Sequence, residues 1–390
     1  MSARPLSAEH VPALDGLRGI AILLVLVHMF MIPQPEDVIG GIGMGMLEVI
    51  GTSGWIGVQL FFVLSGYLIT GALLDTQRAR HYFLNFYARR TLRIFPLYYG
   101  ILIAAFIVRP IFFVKPLALN ETAHNQVWLW TYLYNWAHHA GHEVEGFSHF
   151  WSLAVEEQFY LIWPLVVWHM RAERVVKTCL ALIVAAFVIR VGLRFADVNP
   201  RAIYMWTFCR MDALAAGAAV AAWIRLPGNA PAGARVTPAW ARLGIGCLVV
   251  ALLLVPSFGQ NSFVMDSVGM TLLSVGFAGA VYYASRLPGG APAMLNWAPL
   301  RLAGRYSYGA YVFQLPLGTF VLSHAIPFLP GANLGVQPLI YVVLAIAATF
   351  ALAVVSYHGF EVRFLNLKRK IPRSWVEPVG TSQTPRTPAS

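Results

Sequence analysis

A chain of 390 residues that is 58% hydrophobic and only 12% charged carries too little polar surface for a set of soluble domains, and reads as one polytopic membrane domain. Its formal charge of +11 does not point to nucleic acid, because the basic residues sit between apolar runs and not on a water-facing patch. The three cysteines, Cys179, Cys209 and Cys247, lie apart within apolar segments, which argues against a disulfide framework or a zinc knuckle.

Apolar segments long enough to cross the hydrocarbon layer fall near 15–33, 55–74, 94–114, 148–169, 176–195, 206–224, 243–258, 267–285, 307–326 and 336–360. The first has no small-x-small cleavage site and is read as a retained helix. With both termini in the cytoplasm, the inside segments hold 22 of the 28 Lys and Arg, and only Arg109, Lys115, Arg190, Arg194, Arg201 and Arg210 fall outside or within spans. The expected fold is therefore an all-α integral membrane protein of about ten transmembrane helices. Residues 1–370 form the membrane domain, and 371–390, rich in Pro, Thr and Ser, read as a disordered cytoplasmic tail. There is no inverted repeat of the kind secondary transporters carry.

In the first span, LDGLRGIAILLVLVHMF sets Asp15 and Arg18 at the cytoplasmic entrance and His28 ten residues further, about 15 Å deeper. At that depth a histidine is either a helix–helix hydrogen-bond partner or an acid/base residue. In FYARRTLRIFPLYY, Arg89 and Arg93 share a helix face with Arg90 adjacent, an arrangement that suits phosphates or anchors the topology at anionic headgroups. Trp128, Trp130, Tyr132, Tyr134 and Trp136 alternate with a period of two, which predicts an extended or interfacial segment able to stack on sugar rings. His138, His139 and His142 with Glu143 and Glu145 complete no zinc spacing, so no metal is expected.

The fourth span begins WSLAVEEQFYLIWPL, with two carboxylates where an unpaired acid costs about 2.5–3.5 kcal/mol. A helical wheel lines Glu156 up with His149, Ser152, Tyr160 and Trp163, and turns Glu157 toward Leu153, Leu161 and Pro164. Glu156 is thus the acid expected to do chemistry, and Glu157 a structural group. Counting residues puts Glu156 and His28 at matching depths, so a carboxylate–imidazole pair is expected between these spans.

Seven stretches in order, LDGLRGIAILLVLVH, GVQLFFVLSGYLI, RRTLRIFPLYY, HFWSLAVEEQFYLIWP, CRMDALAAG, GRYSYGAYVFQLP and SYHGFE, resemble the acyltransferase-3 family of membrane acyltransferases, which O-acetylate lipopolysaccharide, exopolysaccharides, peptidoglycan and some antibiotics. The resemblance implies an acyl-CoA (acetyl-CoA) donor from the cytoplasm, a carbohydrate or glycolipid acceptor at the outer face, and a multi-pass protein of the bacterial inner membrane. Carried onto matching positions, it implies His28 as the leading catalytic residue with Arg18, Glu156 and Asp212. It further implies Arg89, Arg90, Arg93 and Ser65 around the donor, and His149, Trp151, Ser152, Arg210 and Gln314 around the acceptor. Two departures stand out. Arg18 and His28 are separated by one residue fewer than is usual, and Gln314 stands where many members have histidine, so that position cannot titrate near neutrality. The chain carries no appended esterase-like domain, so acceptor handling is expected within the membrane domain. The chemistry implied is either general-base removal of a hydroxyl proton by His28 or an acyl-histidine relay. A proton-coupled transporter or flippase, with His28 and Glu156 as the coupling pair, is the alternative from another class.

Overall fold

A computed structural model describes residues 11–31, 51–108, 124–137, 140–144, 146–229, 238–258, 260, 262–286, 293–324, 337–369 and 371. Every element in this set is helical. The long helices are α1 (Pro12–Met31), α2 (Ile56–Asp75), α3 (Tyr82–Ile103), α4 (Trp151–Trp168), α5 (Ala172–Phe195), α6 (Thr207–Trp223), α7 (Ala239–Phe258), α8 (Met270–Arg286), α9 (Ala298–His324) and α10 (Gln337–Ser356). Helices are the outcome apolar runs of this length dictate, since each backbone polar group then finds its partner within its own segment.

Among the described residues, seven helices are long and apolar enough to cross a membrane: those at 12–31, 56–75, 82–108, 172–195, 239–256, 265–286 and 340–367. The three long helices outside that set are α4, α6 and α9, and two of them carry the most unusual polar groups: Glu156 and Glu157 in α4, Arg210 and Asp212 in α6. Leu180, Val184 and Val188 of α5 and Val249, Leu253 of α7 stand exposed on the outer faces, where an apolar surround is their natural environment. Helix α3 begins at Tyr82 and α9 at Ala298, a good two turns earlier than the apolar runs at 94 and 307 suggest. The added turns hold arginines, Arg89, Arg90 and Arg93 in α3 and Arg301 and Arg305 in α9, that hydropathy excludes.

Small residues set the packing. A methyl group on Gly66 would lie 1.9 Å from the Leu214 carbonyl oxygen and one on Gly217 1.8 Å from that of Val63, so α2 and α6 touch backbone to backbone. Gly19 and Gly304 do the same for α1 and α9. These contacts also fix directions. Gly54 meets Leu24 and His28 while Gly57 meets Ala21, which makes α2 antiparallel to α1. Gly304 meets Asp15 and Gly318 meets Phe30, which makes α9 parallel to it.

The aromatic segment corrects an expectation. Residues 127–130 and 134–137 form two short helices, with Tyr132 at φ 54° between them, and not an extended strand. Its rings pack inward: Tyr132 stacks on Tyr98 (4.2 Å between centroids) and Tyr98 on Phe150 (5.0 Å), and the Tyr98 hydroxyl donates to the Leu129 carbonyl at 2.8 Å. Tyr134 accepts from the Val144 amide at 2.9 Å, and burial holds its phenol above the ordinary range. The period of two arises from two turns of helix separated by a reversal, a pattern that mimics alternation. His138, His139 and Glu145 lie outside the described residues. Among those described, no group of three or more metal-ligating side chains comes together.

Candidate active site

Between α1, α2, α3, α4 and α9 lies a cavity of about 580 Å³. One end is basic: Arg18 of α1 and Arg89, Arg90 and Arg93 of α3 all line it. The i, i+4 spacing of Arg89 and Arg93 puts them on one face. The arginines are held by different means. Arg18 pairs with Asp15 at 3.2 Å, Arg89 donates to the Ile371 carbonyl at 2.6 Å, and the Arg90 guanidinium lies over the Tyr160 ring at 4.2 Å.

Helix α4 faces this end with the stripe the wheel predicts. Ser152, Glu156 and Tyr160 line the cavity, while Trp163, further along, donates to Thr70 at 2.8 Å. A hydrogen-bonded chain runs across the two helices: the Tyr160 hydroxyl donates to Ser65 Oγ at 3.1 Å and Ser65 donates to Glu156 Oε1 at 2.5 Å. Glu157, expected as a structural group on the face of Leu153, Leu161 and Pro164, is not kept apart from Glu156. It too lines the cavity, with Oε1 buried and unbonded, and Arg90 is the charged neighbour of both glutamates.

His28 lies elsewhere. Its ring is 8% exposed and Nδ1 donates to the Gly51 carbonyl at 2.6 Å. A carbonyl oxygen only accepts, so Nδ1 carries a proton, and it is Nε2 that offers the lone pair whenever the ring is neutral. The expected His28–Glu156 pair is not formed. His28 packs at Gly54, whereas Glu156 bonds Ser65, eleven residues along α2 and about 16 Å deeper at 1.5 Å per residue. The cause is where α4 starts. Trp151, its first residue, meets Phe62 edge-on at 6.0 Å, so α4 begins six residues, about 9 Å, below the first residue of α2. Counting from an assumed common surface misses this offset.

Asp212 does not orient His28 either. It is 0% exposed, pairs with the Arg190 guanidinium at 2.9 Å, accepts from the Ala213 amide at 2.8 Å, and belongs to a buried network between helices. Arg190 also donates to the carbonyls of Asp266 and Cys209, both at 2.6 Å, and to Thr271 at 2.7 Å. Arg210 is likewise 0% exposed, bonded to Gln59 and flanked by the Tyr204 (4.7 Å), Phe62 (5.5 Å) and Trp151 (5.8 Å) rings. These two charges join α2, α5, α6 and α8 and are not among the residues lining the cavity.

The opposite end of the cavity is formed by Val58, Ser152 and Tyr311, where Ser152 and Tyr311 hydrogen-bond one another. Val58 is one helical turn inward of Gly54, so this end stops about 5–6 Å short of the depth of His28. Ser307, Tyr311, Gln314 and Gly318 follow at i, i+4, i+7 and i+11 on α9: the first two line the cavity, and the last meets Phe30, two residues past His28. Gln314 thus continues the cavity face outward to within a turn of His28. It is 0% exposed and both its amide nitrogen and oxygen are unbonded. His149 stands nearby in depth, with Nε2 donating to the Val312 carbonyl at 3.4 Å and Nδ1 buried without a partner. The sequence named His149, Ser152 and Gln314; it did not place Glu157 at the cavity, and it missed Ser307 and Tyr311, although both lie within a quoted motif.

The family described as "Acyltransferase domain" matches residues 11–358. The chain is 28% identical over 375 residues to "Peptidoglycan O-acetyltransferase OatA" of Listeria monocytogenes, covering 91% of this chain and 56% of that protein. It is 29% identical over 376 residues to "Putative peptidoglycan O-acetyltransferase YrhL" of Bacillus subtilis, covering 90% and 54%. It is 24% identical over 371 residues to "O-acetyltransferase OatA" of Staphylococcus aureus, covering 91% and 57%. The chain therefore spans a little over half the length of these relatives. No solved structure matches it.

Proposed function

Because the chain belongs to the acyltransferase family that covers residues 11–358, we propose that it is an integral-membrane O-acyltransferase that moves an acetyl group from acetyl-CoA to a hydroxyl of a carbohydrate. The names of its relatives favour a peptidoglycan acceptor over the other glycans and glycolipids that the sequence left open. The observation that carries the reading is the cavity itself. Four guanidiniums, Arg18, Arg89, Arg90 and Arg93, gather at one end, and the other end points toward His28, whose Nδ1 is committed to the Gly51 carbonyl.

The separation of His28 from Glu156 then has a use. A donor with its phosphates at the arginines and its thioester on a long flexible arm spans an offset of about 16 Å, so binding and chemistry occupy different depths. Glu156, Ser65 and Tyr160 organise the phosphate end, where Glu156 and Glu157 balance Arg90. At the far end, His28 Nε2 takes the proton of the acceptor hydroxyl as its oxygen attacks the thioester carbonyl carbon. The C–S bond breaks, and the departing sulfur takes the proton back from His28. His149, Trp151, Ser152 and Gln314 belong to the acceptor side of this arrangement, whereas Arg210 and Asp212 hold the helices that frame it.

Ten spans with both termini in the cytoplasm accord with the ten long helices, with α2 antiparallel to α1 and α9 parallel to it. The bacterial inner membrane is the setting in which such a protein meets both a cytoplasmic donor and an external glycan. A carrier that uses His28 and Glu156 as a coupling pair loses its basis, since the two side chains do not meet. Arg89→Ala with Arg93→Ala in the purified protein is the test. The KM for acetyl-CoA rises at least about tenfold with folding intact, each lost charge-assisted contact contributing about 1.4 kcal/mol or more. Unchanged donor kinetics would return those arginines to topology anchors.

A further inference from the structure

Beside the first cavity lies a second, of about 610 Å³, bounded by the N-terminal parts of α1 and α9, by Arg93 of α3 and by the segment from Ala353 to Leu365. The two cavities share Asp15, Arg18, Arg93 and Tyr308, so two guanidiniums stand in their common wall. The second adds Arg301 and Arg305, opposed by Glu361. The two carboxylates offset only part of this charge: Asp15 pairs with Arg18 at 3.2 Å, and Glu361 accepts from Ser356 at 3.3 Å, so four guanidiniums face two acids. Arg301 Nε is buried with no hydrogen-bond partner. The Arg305 guanidinium rests against the Tyr357 and Tyr306 rings, 5.1 and 5.6 Å from their centroids. Four guanidiniums around one hollow, one of them with an unspent donor, are chemistry for a phosphate ester.

We propose that this second cavity binds a phosphate monoester, namely the ribose 3′-phosphate of the acyl donor, while the pyrophosphate and the arm bearing the thioester enter the first. The assignment rests on the acyltransferase reading. Its physical basis is continuity: Arg18 and Arg93 are reached from both sides, so one molecule with two separated phosphate groups straddles them. The headgroup phosphate of an anionic lipid is the other source of the same chemistry, because the cavity lies at the end of the bundle where the arginines gather.

The experiment uses the full chain purified into phosphatidylcholine vesicles, with acetyl-CoA and acetyl-3′-dephospho-CoA as donors. Wild type shows a KM about tenfold or more higher for the dephospho donor with kcat little changed, the size of one lost charge-assisted contact. The paired variant Arg301→Gln with Arg305→Gln treats both donors alike, at the wild-type KM for the dephospho donor. Adenosine 3′,5′-bisphosphate competes better than adenosine 5′-monophosphate in wild type, a comparison that needs no variant to fold. Equal KM values in wild type, or a donor preference kept by the paired variant, would overturn the proposal. So would an Arg301/Arg305 effect that appears only when phosphatidylglycerol is added, which assigns the cavity to lipid. Absence of transfer from either donor contradicts the acyltransferase reading instead, and the bisphosphate-to-monophosphate binding ratio still decides the cavity.

Discussion

Gln314 is the residue whose state is hardest to account for by packing alone. An amide with neither its donors nor its acceptor satisfied, at 0% exposure, costs about 1–3 kcal/mol relative to a bonded one, and an apolar residue of the same length avoids that cost. Gln314→Leu is therefore expected to raise thermal stability while lowering kcat/KM for the acceptor. The two readouts move in opposite directions only if the amide meets substrate; a stability gain with unchanged turnover would make it a packing defect. His28 carries the complementary signature, with Nδ1 committed to Gly51 and Nε2 left free. Identity at these two positions was legible in the sequence, because polar residues deep in apolar runs are rare. Their bonding state was not, since it depends on a carbonyl from residue 51 and on a neighbouring helix.

Pairs of helices decide which charges do chemistry and which hold the bundle. Asp212 lies opposite Arg190 on α5, so Asp212→Ala leaves a buried guanidinium uncompensated and is expected to cost about 3–5 kcal/mol. Adding Arg190→Met restores part of the folded yield, read by fluorescence-detected gel filtration after heating. If Asp212→Ala instead stays as stable as wild type and loses only turnover, its role is catalytic after all. The sequence singled out Arg210 and Asp212 yet not their partners, because Gln59 lies 151 residues from Arg210 and Arg190 stands on a separate helix whose packing against α6 no periodicity reports. The fourth helix teaches the same point. Its face, with Ser152, Glu156 and Tyr160 toward the cavity, followed from the period of 3.6 residues alone. Its depth did not, because depth is set by Trp151 seating on Phe62 and not by the length of the apolar run.

At the scale of the whole molecule, the all-helical membrane character was legible in hydropathy, while the cavity came from packing that no periodicity reports. The proposed orientation puts the turn before α5 in the cytoplasm and the segment before α4 on the opposite face. With the three native cysteines replaced, Glu173→Cys is expected to react with a membrane-impermeant maleimide only from the cytoplasmic side, and Glu143→Cys only from the outside. The reverse pattern would invert the topology and strand the arginine end away from its donor. The division of labour between a donor-binding end and a proton-transferring end is tested most directly by acetyl transfer from radiolabelled acetyl-CoA, comparing wild type, His28→Ala and Glu156→Gln across donor concentration. His28→Ala is predicted to bind donor normally and lose about 10²–10⁴-fold in rate at saturation, whereas Glu156→Gln weakens donor binding and recovers near-wild-type rate once saturated. Full turnover by His28→Ala, or a Glu156→Gln defect that saturating donor leaves in place, would contradict it.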